Sequence, residues 1–140
     1  MGRGLMLRHL LDTHALLWWV SDPDKIPRKS RRLLDKAIAE KKTIAVSSMS
    51  LWEIAMLVER GRLELTMPVP VWVSHLEAIP WLSFVPVDNG IAVRSVQLDA
   101  FPHRDPADRI IVATALGQNA TLITADTRLR AYPPLRSAWD

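Results

Sequence analysis

The chain has 140 residues, the length of one domain; with 49% hydrophobic and 24% charged residues it is not a disordered chain. It has no cysteine, which excludes disulfides, thiolate zinc sites, iron–sulfur clusters and a cysteine nucleophile. Eighteen Lys and Arg against 15 Asp and Glu leave a net charge of +3, compatible with a polyanionic partner without requiring one.

Short β-rich runs alternate with helical stretches along the chain. Residues 5–11 read as a first strand ending at Asp12. Arg8, His9 and Asp12 interrupt this apolar N-terminal run, so no secretory signal is expected. No stretch approaches the roughly 18 uncharged apolar residues of a membrane span, so a cytoplasmic protein with no membrane contact is the expectation. Residues 13–20 read as a short helix stopped by Ser21-Asp22-Pro23. Residues 28–42 read as a polar helix with Leu33, Leu34, Ala37 and Ile38 as its apolar stripe. A buried strand over 43–47 leads to a helix over 50–60, closed by Gly61. Pro68 and Pro70 mark a turn before a helix over 71–79. A strand over 83–87 contains Pro86, which suits a sheet edge. Helices over 91–98 and 106–117, a strand over 121–124 and a last helical turn over 126–132 follow. Residues 134–140 read either as a final edge strand or, like residues 1–4, as a loose end. Strands alternating with helices predict a single three-layer α/β domain around a mostly parallel sheet.

In such a sheet, ligands sit outside the carboxyl ends of the strands. Asp12 directly follows the apolar pair Leu10-Leu11. Glu53 lies in the first turn of the helix after the second strand, Asp105 and Asp108 open the helix over 106–117, and Asp126 follows the strand over 121–124. Acids gathered at one sheet edge repel one another unless a cation sits among them. All-oxygen donors without Cys suit Mg²⁺ or Mn²⁺ rather than Zn²⁺. Most of these acids also have a local reading. Ser50 and Glu53 have capping-box spacing. Asp105 before Pro106 suits an N-cap followed by proline at the first helical position. Asp108 would be favoured by the helix dipole, and Asp126 could cap the last helix. Asp12 is the hardest to explain by local structure alone.

The segments LLDTHALLWW, SSMSLWEIAML, HRDPADRIIVATAL and TLITADTRL, in this order and spacing, resemble a PIN domain, and more closely the VapC-type toxins of bacterial toxin–antitoxin pairs. The resemblance runs from about Leu10 to Pro133. It implies a small magnesium-dependent endoribonuclease, a homodimer, held inactive by an antitoxin. It also implies Asp12, Glu53, Asp108 and Asp126 as catalytic metal ligands, with Asp105 as the alternative third ligand, one helical turn from Asp108. Around that site, Arg104 and Arg109 are candidates for RNA phosphate contacts. The eight basic residues among 25–42 read as a solvated helix face. Thr13 and Thr124 could orient a water, and Thr13 reads equally as a cap of the first helix. His14 and His103 read as surface residues. Six Trp against two Phe and one Tyr is an unusual surplus. Trp18, Trp19, Trp52 and Met56 are candidates for an apolar groove that takes a partner helix.

Rival readings lack their own signatures. An aspartyl-phosphate phosphohydrolase needs a second Asp two residues after Asp12, where His14 stands. A Toprim-type nuclease needs an Asp-x-Asp pair after a strand. A non-catalytic, magnesium-binding receiver-like domain needs a Lys where Ala125-Asp126 follow the late strand. A PIN-type nuclease of RNA maturation, working without an antitoxin, remains an alternative.

Overall fold

The computed structural model describes residues 8–140; the expected strand start at Leu5 and the expected loose residues 1–4 lie outside them. Five strands form one sheet: β1 (Arg8–Leu11), β2 (Ile44–Ser47), β3 (Leu82–Val85), β4 (Ala120–Ile123) and β5 (Ser137–Ala138). Their spatial order is β3-β2-β1-β4-β5, and every pairing is parallel. Leu11 stands in register with Val46 on one side and Ile123 on the other. β1 is central, and the chain leaves it first towards β2 and later returns on the other side as β4. The crevice between the carboxyl ends of β1 and β4 is therefore the topological switch point, where open parallel sheets bind ligands.

Among the described residues seven α-helices cover the sheet: α1 (Thr13–Ser21), α2 (Arg28–Ala39), α3 (Ser48–Glu59), α4 (Val69–Glu77), α5 (Asn89–Val96), α6 (Pro106–Gly117) and α7 (Thr127–Arg130). Successive strand residues face opposite ways. Leu10, Ala45 and Leu122 meet Ile111, Val112 and Ala115 of α6 and Ile91 of α5 on one face. Leu11, Ile44, Val46 and Ile123 meet Leu16, Leu34, Ile54 and Leu76 from α1 to α4 on the other. With both faces covered, the strands are continuous apolar runs rather than alternating ones. Among the described residues no helix is long and apolar enough to cross a membrane.

Several boundaries differ from the sequence expectation. α2 stops at Ala39 because Lys41 takes a left-handed conformation, φ 60°. α4 begins at Val69 and contains Pro70, which the first turn of a helix accommodates because its N–H has no intrahelical partner there. α3 begins at Ser48 and is capped by Ser47, whose hydroxyl accepts from the Met49 N–H at 3.0 Å. Its far end has Gly61 at φ 69°, as the sequence suggests. Pro86 falls just past β3, an edge strand. The tail takes the strand alternative: β5 extends the sheet beside β4, and the Ser30 hydroxyl ties it to α2 by donating to the Trp139 carbonyl.

Candidate functional site: an acidic cleft at the switch point

Each acid is delivered by the end of a strand or the start of a helix. Asp12 follows β1 and is the N-cap of α1: its Oδ1 accepts from the Thr13 N–H at 2.8 Å. Its Oδ2 accepts from the Thr124 hydroxyl, 2.7 Å away at the end of β4. One carboxylate thus joins the two strands that flank the switch point. Thr124 Oγ1 also accepts from the Asp126 N–H at 3.0 Å, which fixes the turn into α7. Asp126 caps that turn through the Arg128 N–H at 2.9 Å. Asp105 is the N-cap of α6 and accepts from the Ala107 N–H at 2.8 Å, ahead of Pro106. Asp108 lies in the first turn of the same helix.

Because α3 starts at Ser48, Glu53 is in its second turn and Ser50 is not an N-cap, so there is no capping box. Instead Ser50 is fully buried, and its Oγ lies 2.9 Å from the Thr13 hydroxyl, itself 2.5 Å from Glu53 Oε1. A carboxylate only accepts and Thr13 has one hydroxyl proton, so Thr13 donates to Glu53 and accepts from Ser50. Thr13 does not cap α1, a role Asp12 fills; it orients Glu53. No local pattern in the sequence reveals this link across 40 residues.

Asp12, Glu53, Asp105, Asp108 and Asp126 line one cleft of about 520 Å³, together with Thr13, His14, Trp18, Ala125 and Arg128. The electrostatics record the crowding. Burial pushes the Asp108 carboxyl up to about 7, reinforced by the charges of Asp105, Asp12, Asp126 and Glu53. Burial also raises Asp12, against the lowering effect of its bonds from Thr124 and Thr13. Burial raises Glu53 too, with Asp12 and Asp105 adding to the shift against the Thr13 bond. Burial raises Asp126 as well, but the Arg128 hydrogen bonds outweigh it and hold this carboxylate below its usual range.

This donor set fits a hard divalent cation. All the acidic groups are oxygen donors, and their mutual repulsion is what a cation would relieve. Among the described residues no three His, Asp or Glu groups stand close enough to form a ready-made ligand shell. An ion held here would have to complete its shell with several of its own waters, as Mg²⁺ readily does.

The structure places the other expected site residues differently. Arg109 does not line the cleft. Its guanidinium donates to the carbonyls of Ser95 (2.8 Å), His103 (2.7 Å), Phe101 (3.3 Å) and Val96 (3.3 Å), and so ties the loop before α6 to α5. Adjacent helical residues point about 100° apart, so being next to Asp108 in sequence turns Arg109 away from the cleft. Arg104 is exposed on that loop and does not line the cleft either. The arginine that does is Arg128, which the sequence reading missed. Its Nη2 lies 3.2 Å from Asp126 Oδ2 and 3.7 Å from Asp108 Oδ2. Its position two residues after a helix-capping Asp was the available signal. His14 is exposed at the cleft, whereas His103 is half-buried edge-on against Phe101.

The four candidate groove residues do not form one groove. Trp18 lines the acidic cleft and packs on Trp139 at 5.7 Å. Trp19 points elsewhere, edge-on to Trp81 at 6.0 Å. Trp52, 55% exposed, and Met56 line a second cavity of about 300 Å³ between α3 and α6, with Met49, Pro106 and Ala107. Glu53 and Asp105 border both cavities.

An all-parallel β3-β2-β1-β4-β5 sheet with an acid cluster at its switch point defines the class, and the PIN domain family matches residues 9–134. The chain belongs to the PIN domain family. It is similar to Ribonuclease VapC22 of Mycobacterium tuberculosis, 34% identical over 124 residues that cover 88% of this chain and 90% of that protein. Solved structures share the fold at lower identity. VapBC2 from Rickettsia felis bound to a fragment of its promoter DNA is 19% identical with a TM-score of 0.71, covering 96% of this chain and 100% of that one. DNA-bound VapBC from Salmonella typhimurium is 19% identical with a TM-score of 0.68, covering 95% and 98%. FitAcB from Neisseria gonorrhoeae is 22% identical with a TM-score of 0.64, covering 92% and 95%.

Proposed function

We propose that this protein is a magnesium-dependent endoribonuclease of VapC type, the toxin of a toxin–antitoxin pair. The observation that carries the reading is the convergence of Asp12, Glu53, Asp108 and Asp126, with Asp105 beside them, on one cleft at the switch point of a PIN fold. The similarity to a protein named as a ribonuclease supports the activity. Asp12, Glu53, Asp108 and Asp126 would hold Mg²⁺, or Mn²⁺ in its place. When bound there, the ion supplies charge neutralisation for a phosphodiester and a water of lowered pKa.

The chain's own contribution is preorganisation. Thr124 and the Thr13 N–H hold both Asp12 oxygens, and the Thr13 hydroxyl holds Glu53, before any ligand arrives. Asp105 is exposed at the helix start, whereas the Asp108 side chain is largely buried among the other acids, which makes Asp108 the better third ligand. The antitoxin reading draws on the VapBC and FitAcB neighbours and on exposed Trp52, whose cavity shares Glu53 and Asp105 with the cleft. An apolar segment anchored there would cover the acids, and Trp52→Ala should weaken antitoxin binding by roughly 2 kcal/mol, the hot-spot scale. A homodimer belongs to the same reading, and sedimentation of the isolated protein tests it.

The deciding experiment is cleavage mapping on total cellular RNA. Discrete cuts in Mg²⁺ that vanish in EDTA and in Asp12→Asn are expected. Equal cutting in excess EDTA by nuclease-free protein would overturn the reading.

A further inference from the structure

Two arginines stand near the acids, and their surroundings differ. Arg109 has its guanidinium committed to four backbone carbonyls. Among the described residues, Arg128 is the only Lys or Arg lining the acidic cleft. Its side chain is 58% exposed, while that of Asp108 is 15% exposed. It reaches Asp126 through Nε (3.4 Å) and Nη2 (3.2 Å), and the same Nη2 faces Asp108 at 3.7 Å.

We propose that Arg128 is the cleft's built-in counter-ion: it competes with a divalent cation for Asp108 and Asp126 and, once displaced, takes a phosphate of the RNA. The inference rests on the reading of the cleft as a divalent-cation site. A guanidinium and a divalent ion repel each other, so both cannot be held by the same two carboxylates at full strength. Arg128 is the exposed partner in both pairs and can turn into solvent, so a more highly charged competitor can displace it. Its exposure leaves the long side chain free to turn, and the planar fork of a guanidinium matches a phosphate's oxygens. The alternative, a fixed structural arginine, is what Arg109 looks like. Arg128 has none of those backbone anchors among the described residues: its side-chain hydrogen bonds go to Asp126.

The test uses the metal-free full chain with MnCl₂ as the probe, free Mn²⁺ being followed by electron paramagnetic resonance. Arg128→Gln should bind Mn²⁺ about two- to five-fold more tightly than the wild type, the scale an exposed ion pair sets. Arg128→Lys should fall between them. In Mg²⁺, cleavage of an RNA oligonucleotide by Arg128→Gln should show a raised KM with kcat much less changed. If the wild type binds Mn²⁺ and Arg128→Gln binds it no more tightly, the competition is refuted while the cation site stands. If affinity rises but KM does not, the phosphate role is refuted. If the wild type neither binds Mn²⁺ nor cleaves RNA, the cation-site reading falls and takes this inference with it.

Discussion

The two sides of the acidic cleft are built on different principles. On the side of β1 and α3, Asp12 and Glu53 are held by neutral donors, the Thr124 and Thr13 hydroxyls and a backbone N–H, all anchored in buried structure. On the side of α6 and α7, Asp108 and Asp126 face a charge, the exposed guanidinium of Arg128. Neutral donors orient a carboxylate without cancelling its charge, so the first side keeps its attraction for a cation. An exposed ion pair cancels charge but is readily exchanged, so the second side can adjust. The proposed function, holding a cation while admitting a polyanion, would draw on both kinds of support.

The largest expected effect comes from breaking the fixed side. Asp12→Asn removes a charge from the most constrained carboxylate and should lower RNA cleavage by more than about 100-fold, beyond the loss typical of a residue that only supports a ligand. Circular dichroism should show the fold retained. Asp108→Asn should match it, and Asp105→Asn should cost less, because asparagine still caps α6. If Asp105→Asn abolishes cleavage and Asp108→Asn does not, the third ligand is misassigned.

Thr13→Val keeps the shape but deletes the hydroxyl shared by Glu53 and Ser50. Cleavage should drop about 10- to 100-fold, the range for residues that orient ligands, and Thr13→Ser should restore most of it. Steady-state assays on the three proteins decide; equal rates in Thr13→Val would show that Glu53 needs no such support.

Arg109 separates fold from site. Arg109→Ala strands several carbonyls between α5 and the α6 loop and should cost about 1.5–3 kcal/mol in urea unfolding. Cleavage per folded molecule should stay unchanged. A large loss of kcat with normal stability would return Arg109 to the RNA-contacting role that its sequence position suggests.

A further effect is on pH dependence. Asp108 rises from an ordinary 3.8 to about 7 in the folded state. Between those values the folded protein holds a proton that the unfolded chain has released, so stability falls as pH rises from about 4 to about 7. Above that window the cost is fully present. In metal-free protein, the difference in melting temperature between Asp108→Asn and the wild type should therefore grow in the variant's favour from pH 5 to pH 8. A constant difference would show that Asp108 titrates as an ordinary carboxyl.

Legibility from sequence followed how local the signals were. The layered fold was readable because β1, β2 and β4 are buried on both faces and helix-capping residues punctuate the chain between them. Asp12 was readable because a carboxylate directly after Leu10-Leu11 has no better local use. Glu53 was blurred by Ser47-Ser48-Met49-Ser50, which offers three serines as possible caps; the chain uses Ser47, and only that choice frees Glu53. The Thr13 link to α3 joins residues 40 apart and leaves no local trace. The sequence points to Arg104 and Arg109 because nearness in sequence to Asp108 stands in for nearness in space. A helix turns Arg109 away, whereas the tight turn into α7 brings Arg128 back.

The account turns on one claim, that this cleft is a divalent-cation centre. Anomalous diffraction from a crystal grown with Mn²⁺ tests it most directly. The account predicts a peak among Asp12, Glu53, Asp108 and Asp126, with the Arg128 guanidinium moved off Asp108. A well-ordered cleft without a peak, or Mn²⁺ bound only elsewhere on the molecule, would contradict it.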